Sequence, residues 1–443
     1  MHHPDDFVFL PGLRLQDHRF ELPIDHGAAA RGESSATIEV FAREVTPSEV
    51  DAAEAAQRPA LVFLQGGPGF ASPRPMRRGG WLAKALERYR VVLLDPRGTG
   101  RSTRIDGASL PAVANSADPQ VQAECLALFR ADAIVQDCEA IREALCFDRP
   151  WTVLGQSFGG FCALTYLSFA PEGLEAAIIT GGIPPVGVPI DDIYRATYAR
   201  VRDRNRRYFE RYPSDRGALD RLVAQLRQTE VRSLGGDRLS PRRVAQLGLQ
   251  FGFDDGFEIV HYLLEGAQGR TVTGPRPAHE FLVGLEKVMA FDTNPLFSLL
   301  HEAAYCEGPG SASRWSAERV RGELPEFAED AEPMLFTGEM IYPWMFEEYG
   351  QLRPHAAVAE ALATRDEWPA LYDPGQLSRN KVPCVAAVYT EDMYVERRFS
   401  EATAAEIPQL RCWVTADHEH NGLRAQGEVV LGRLLAMLDG EVD

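Results

Sequence analysis

Residues 155–159 read Gly-Gln-Ser-Phe-Gly, between the apolar run Trp151-Thr-Val-Leu154 and the apolar stretch Gly160-Phe-Cys-Ala-Leu-Thr-Tyr-Leu167. A serine with glycines two positions to either side, where a short buried strand meets a helix, constrains the fold more than any other feature of the chain. The turn is too tight for side chains at Gly155 and Gly159, and it lifts Ser157 into a strained position above the helix N-terminus. Gly-rich turns between strand and helix are common. This one is the seat of a nucleophile only if a base, an orienting acid and oxyanion donors stand in a workable order along the chain.

They do. In elbow-type enzymes the acid and then the histidine follow the serine. Val382-Pro-Cys-Val-Ala-Ala-Val-Tyr389 reads as a buried strand, and Glu391 and Asp392 lie just past its end, where a triad acid belongs. A second strand, Leu410-Arg-Cys-Trp-Val-Thr415, leads into Ala416-Asp-His-Glu-His-Asn-Gly422. Of the ten histidines, only His418 and His420 lie C-terminal to that acid, so chain order reduces the base to two residues. Upstream, strand Ala60-Leu-Val-Phe-Leu64 runs into Gln65-Gly-Gly-Pro-Gly69, where a second oxyanion donor is expected. The candidate donors are the N–H of Phe158, which follows the nucleophile, and the N–H of Gly67. Taken alone, the glycine loop reads as an ordinary strand-to-helix turn.

The rest of the chain falls into an order. Residues from about Phe7 to Val45 alternate apolar and polar positions, with Gly27 and Gly32 near turns, as antiparallel strands at a sheet edge do. Strands at Ala60–Leu64, Tyr89–Asp95, Trp151–Leu154 and Leu174–Thr180 then alternate with helices, including a long one over Asp132–Leu145. This pattern predicts an α/β fold with a mostly parallel central sheet, whose ligands bind beyond the carboxyl ends of the strands. From Gly182-Ile-Pro-Pro185 to about Asn380 the alternation stops and the pattern is mainly helical. Breaks fall at Tyr212-Pro-Ser-Asp, Gly235-Gly-Asp, Gly269–Pro277 and Gly308-Pro-Gly. The expected division is a core over 1–183, a helical cap over 184–380 and the remainder of the core over 381–443.

Composition excludes several classes. A formal charge of -18, dispersed along 443 residues, disfavours nucleic acid and anionic membranes as partners. The basic run Arg200-Val-Arg-Asp-Arg-Asn-Arg-Arg207 reads as one helix with a basic exposed face. Seven scattered cysteines without a C-x-x-C read as reduced thiols of a cytoplasmic protein. The first residues show no secretory pattern, and no apolar stretch is long enough to span a bilayer. No cofactor is implied, and the His and Cys spacings match no zinc pattern.

The series Gly66-Gly-Pro-Gly69, Asp95-Pro-Arg-Gly-Thr-Gly-Arg-Ser102, Gly155-Gln-Ser-Phe-Gly-Gly160, Thr180-Gly-Gly-Ile-Pro-Pro185, Asp392-Met393 and Glu419-His-Asn-Gly-Leu-Arg424 resembles the proline iminopeptidases. These are serine peptidases of the α/β-hydrolase fold, and the similarity is to their longer-chain branch, from roughly residue 15 to the end. Many shorter members carry His where this chain has Gln65, a position that flanks the oxyanion loop. The resemblance implies Ser157 as nucleophile, Asp392 rather than Glu391 as acid, and His420 rather than His418 as base. It implies release of N-terminal proline from peptides through an acyl-enzyme. It also implies that glutamates of the cap pair the substrate's free amine. Glu302 and Glu339, each set among apolar and aromatic residues, are the candidates, against the alternative of solvent-facing helix positions. Phe158, Tyr342, Trp344 and Phe346 are candidate walls for the prolyl ring, with ordinary core packing as their alternative reading. Asp95 and Arg97 read as structural ties beneath the elbow. The rival functions are a capped esterase or amidase with the same triad, and a binding protein on the same scaffold. An epoxide or halide hydrolase would carry Asp at the elbow, where this chain has Ser157.

Overall fold

The computed structural model describes residues 2–146, 149–269 and 276–442, so that 270–275, within the break expected at Gly269–Pro277, lies outside the described residues. Its centre is a ten-stranded sheet. Across it the order runs His2–Pro4, Leu13–Pro23, Thr37–Pro47, Arg90–Asp95, Ala60–Leu64, Trp151–Gln156, Leu174–Thr180, Cys384–Tyr389 and Leu410–Thr415, with Val8–Leu10 also paired to Leu13–Pro23. Pairing is antiparallel up to Arg90–Asp95 and parallel from there on.

The sequence explains this division. Every residue of Ala60–Leu64, Arg90–Asp95 and Trp151–Gln156 is buried, and their continuous apolar runs suit strands covered by helices on both faces. The strand Leu13–Pro23 carries polar residues among the apolar ones, and it sits near the open edge. Gly27, expected near a turn, lies instead in the short helix His26–Ala30, where the Asp25 side chain accepts from Ala28 N. Between Leu174–Thr180 and Cys384–Tyr389 no described strand joins the large sheet; the segment is mostly helical.

Two features of this packing position the site. The chain leaves Ala60–Leu64 toward one side of the sheet and Trp151–Gln156 toward the other, which opens a crevice between their carboxyl ends, where ligands of such sheets bind. Next, the helix Ile190–Arg211 does not present a free basic face. Arg204 is buried and bonds the Glu419 carboxylate and, at 2.8 Å, the Glu391 carbonyl. Arg207 pairs with Glu391 at 2.8 Å, and Arg200 with Glu396 at 2.7 Å. The arginines bind the helix to the loops carrying Asp392 and His420. No described helix is long and apolar enough to cross a membrane. All seven cysteines are free thiols, six of them buried.

Arg97, from the Asp95–Ser102 segment, is enclosed against the helix Ala131–Cys146. Its guanidinium donates to both oxygens of Asp137 at 2.7 and 2.6 Å, and to the carbonyls of Ile24 and Leu128. Both partners are completely inaccessible or nearly so. Arg97→Met would strand the buried Asp137 charge, with only His26 at 2.8 Å left to answer it. The expected loss is about 3–5 kcal/mol, read from urea unfolding. A loss under about 1 kcal/mol would show that the ion pair does not hold this layer together.

Candidate active site

The elbow is built as its glycines require. Ser157 sits at φ 56° and ψ -124°, a region that costs a non-glycine residue on the order of 1–3 kcal/mol. The surroundings enforce it: Ser157 N donates to Thr180 O at 3.0 Å, and Gly160 N to Ser157 O at 2.7 Å. A Cβ at Gly155 would lie 2.3 Å from the Gly159 carbonyl oxygen, and one at Gly159 only 1.9 Å from the Leu64 carbonyl oxygen. The helix Phe158–Phe169 starts immediately after the serine.

His420 and Asp392 meet across 28 positions of sequence. His420 Nδ1 lies 2.7 Å from Asp392 Oδ2. Asp392 Oδ1 accepts from Tyr394 N at 2.9 Å and Val395 N at 3.0 Å, which aims the carboxylate at the imidazole. Both residues are buried. Burial pulls the imidazole toward its neutral form, but the charge and hydrogen bond of Asp392, with the charge of Glu339, hold His420 above its ordinary range. Glu391 is turned away onto Arg207, and the His418 ring packs against Trp413 and Tyr389.

The loop after Ala60–Leu64 lies against the elbow, since a Cβ on Gly66 would come within 2.9 Å of the Ser157 Cβ. Gly67 is the next residue of this loop, and Phe158 the next after the serine. Asp95 braces the loop's far end, accepting from Ser72 N at 3.1 Å and Arg101 N at 2.8 Å and pairing with Arg74.

Ser157, His420, Gln65 and Gly67 line one cavity of about 320 Å³, together with Glu339. The helical segment supplies most of its far side, through Leu249, Phe253, Val288, Phe291 and Phe297. Glu339 is the acid of this cavity. No described residue hydrogen-bonds its carboxylate. Burial pushes it up to about 8, with the His420 charge pulling it down and the Asp392 charge adding to the rise.

Glu302, the other expected acid, has partners of its own. Its oxygens accept from Ala317 N at 2.9 Å and Ser316 N at 3.2 Å, capping the helix Ser316–Gly322, and it does not line the cavity. A buried carboxylate among apolar residues needs partners, and here a helix N-terminus provides them. The expected aromatic wall also differs. Tyr342 bonds the Tyr198 hydroxyl at 2.8 Å, Trp344 stacks on Tyr342, Phe346 packs on Trp315 and Phe158 on Phe161. All four are core packing. The rings lining the cavity are Phe70, Phe253, Phe291, Phe297 and Tyr394, the last edge-on to His420 at 4.6 Å. His301, next to Glu302, is a further buried neighbour whose imidazole is pushed down to about 4 by burial, against the pull of the Glu339 backbone.

Comparison with known proteins agrees with this architecture. The alpha/beta hydrolase fold family matches over residues 59–237. A proline iminopeptidase of Aeromonas sobria is 46% identical over 430 residues, 97% of this chain and 97% of that protein. One from Aspergillus aculeatus is 34% identical over 98% of this chain and 96% of its own length. A crystal structure of a proline iminopeptidase from Mycobacterium smegmatis superposes with 15% identity and a TM-score of 0.43, covering 96% of this chain and 100% of that one. With near-complete coverage at such identity, and with the sheet, elbow and crevice described above, the chain belongs to the proline iminopeptidase family of the α/β-hydrolase fold.

Proposed function

We propose that this protein is a serine aminopeptidase that releases N-terminal proline from peptides, with Ser157, His420 and Asp392 as its triad. The observation that carries the proposal is the arrangement of the cavity. One space is bordered by a strained serine, by a histidine already hydrogen-bonded to a buried aspartate, and by a glutamate that no described residue satisfies. The names and full-length similarity of the relatives support the same reading.

In this mechanism His420 takes the Ser157 proton through its Nε2, while Asp392 holds the ring and stabilises the imidazolium. Ser157 Oγ attacks the first peptide carbonyl. The amides of Gly67 and Phe158 receive the oxyanion, and loss of one such donor costs on the order of 3 kcal/mol of barrier. His420 then protonates the departing amine. Water, activated by the same imidazole, hydrolyses the acyl-enzyme and frees proline. Glu339 pairs the substrate's cationic N-terminus and so measures one residue from the scissile bond. The helical stretch 184–380 acts as the cap, closing the cavity over the strand ends.

The test is a comparison of prolyl, alanyl and N-acetylprolyl arylamides with a simple aryl ester. The prolyl arylamide is expected to be cleaved fastest, and acetylation to slow turnover sharply without abolishing it. Equal turnover of the blocked amide, or a preference for the ester, would replace the peptidase by a capped esterase.

A further inference from the structure

The catalytic cavity carries two positive side chains that the chemistry above does not use. Lys287, at the end of the helix His279–Val288, and Arg424, in the turn of helix that follows His420, both line it. Both are exposed, so they stand at its mouth. Among the described residues neither side chain has an ion pair or a hydrogen bond; the Arg424 guanidinium lies over the Phe253 ring, 5.8 Å from its centre. Acidic residues outnumber basic ones by 64 to 46, and many arginines, Arg19 and Arg397 among them, are engaged by carboxylates. Among the described residues the only acid lining the same cavity is Glu339. The cavity is therefore polarised. A carboxylate lies on the side that receives the substrate's amine, and two uncompensated cations flank the opening through which the rest of the peptide must extend.

We propose that Lys287 and Arg424 form a carboxylate-binding rim for the leaving-group side of the substrate, favouring prolyl peptides that carry a negative charge shortly beyond the scissile bond. This rests on the prolyl aminopeptidase reading. An extended residue spans only about 3.3–3.6 Å, so the charge comes from the free C-terminus of a short peptide or from an acidic side chain near the cut. The chemistry is the same: a guanidinium and an ammonium donating to carboxylate oxygens. Because the rim touches the leaving group away from the reacting atoms, it acts on substrate binding and shows in KM rather than in kcat.

The experiment measures proline release from prolyl-glycyl-glycine, from its C-terminal amide, and from the amide of prolyl-glycyl-aspartate. The wild-type enzyme is compared with Lys287→Met, Arg424→Met and the double variant. The readout is the ratio of kcat/KM for a charged peptide over the uncharged amide within each enzyme, so a general change in activity cancels. In the wild type we expect a ratio of about ten, close to the effect of one charge-assisted contact. It should fall toward one in the double variant, and in the wild type as salt is raised, since exposed charges are screened over about 10 Å at 0.1 M. A preference for the free C-terminus alone assigns the rim to short peptides; an equal preference for the aspartyl amide assigns it to acidic sequences. A wild-type ratio near one, or a ratio unchanged in the double variant, overturns the rim and leaves the prolyl reading intact. Failure to release proline from any of the peptides overturns that reading and the rim together.

Discussion

Ser157→Ala is expected to lower kcat for prolyl arylamide by roughly 10⁴- to 10⁶-fold, while leaving the fold in place. The size follows from the roles assigned to the residue. Without Oγ there is no acyl-enzyme, and the imidazole held by Asp392 has nothing to activate but water. What remains is binding by Glu339 and the donors of the oxyanion loop, which act on substrate but cannot replace the nucleophile. The fold is expected to survive because alanine keeps the Cβ already accommodated at φ 56°, and the backbone bonds to Thr180 and from Gly160 do not involve the hydroxyl. Thermal unfolding of the variant should therefore fall within a few degrees of the wild type, and the variant should still bind prolyl peptides. Residual activity above about one per cent, with that folding signature, would mean that another group is the nucleophile.

Much of the architecture could be read from the chain because its central strands are buried on both faces. Ala60–Leu64 and Leu174–Thr180 have the limits that their apolar runs predict, as does the edge strand Leu410–Thr415. The helix expected over Asp132–Leu145 is one residue longer at each end. Local chemistry also marked the elbow, since a backbone passing 1.9 Å from a would-be Cβ admits glycine alone. The choice between Glu391 and Asp392 was not local. It depends on Arg207, on a helix nearly two hundred residues earlier, and on amides just downstream that orient Asp392.

Residues whose role is set by docking could not be read in this way. Tyr342, Trp344 and Phe346 have the composition of a pocket wall and the position of a core, and the difference lies in which neighbours reach them. The rings that do line the cavity come from separate elements: Phe70 from the glycine loop, Phe253 and Phe291 from connections between helices, Phe297 from the helix Pro295–Leu300, and Tyr394 from beyond the acid. Nothing in their spacing brings them together. Glu302 shows the same limit for charge. An acid among apolar residues announces that something compensates it, but the partner, a helix start fourteen residues on, has no signature beside it.

Glu339→Gln should separate recognition of the amine from the chemistry. The amide keeps the shape and one acceptor, and it removes the charge that the proposal assigns to the substrate's N-terminus. With a free prolyl arylamide, kcat/KM is expected to fall roughly 10²- to 10³-fold, the effect of breaking a desolvated charge pair worth about 3–4 kcal/mol. With an N-acetylprolyl arylamide no comparable loss is expected, because that substrate brings no cation. The pH profile carries the second sign. In the free enzyme the carboxyl is pushed up to about 8 by burial, so its anionic form, the one that pairs a cation, grows as pH rises through that range. His420 must also be neutral to act as base, and it too loses its proton as pH rises from a point above its ordinary range. Wild-type kcat/KM should thus climb with pH through two coupled ionisations, which belong to the pair rather than to either residue. In Glu339→Gln one of them is gone. The other moves to lower pH, because the negative charge that helped to hold the proton on His420 has been removed. The ascending limb should therefore become simpler and shift toward acid while its plateau drops. Equal losses on free and blocked substrates, with the limb unmoved, would place Glu339 outside amine recognition.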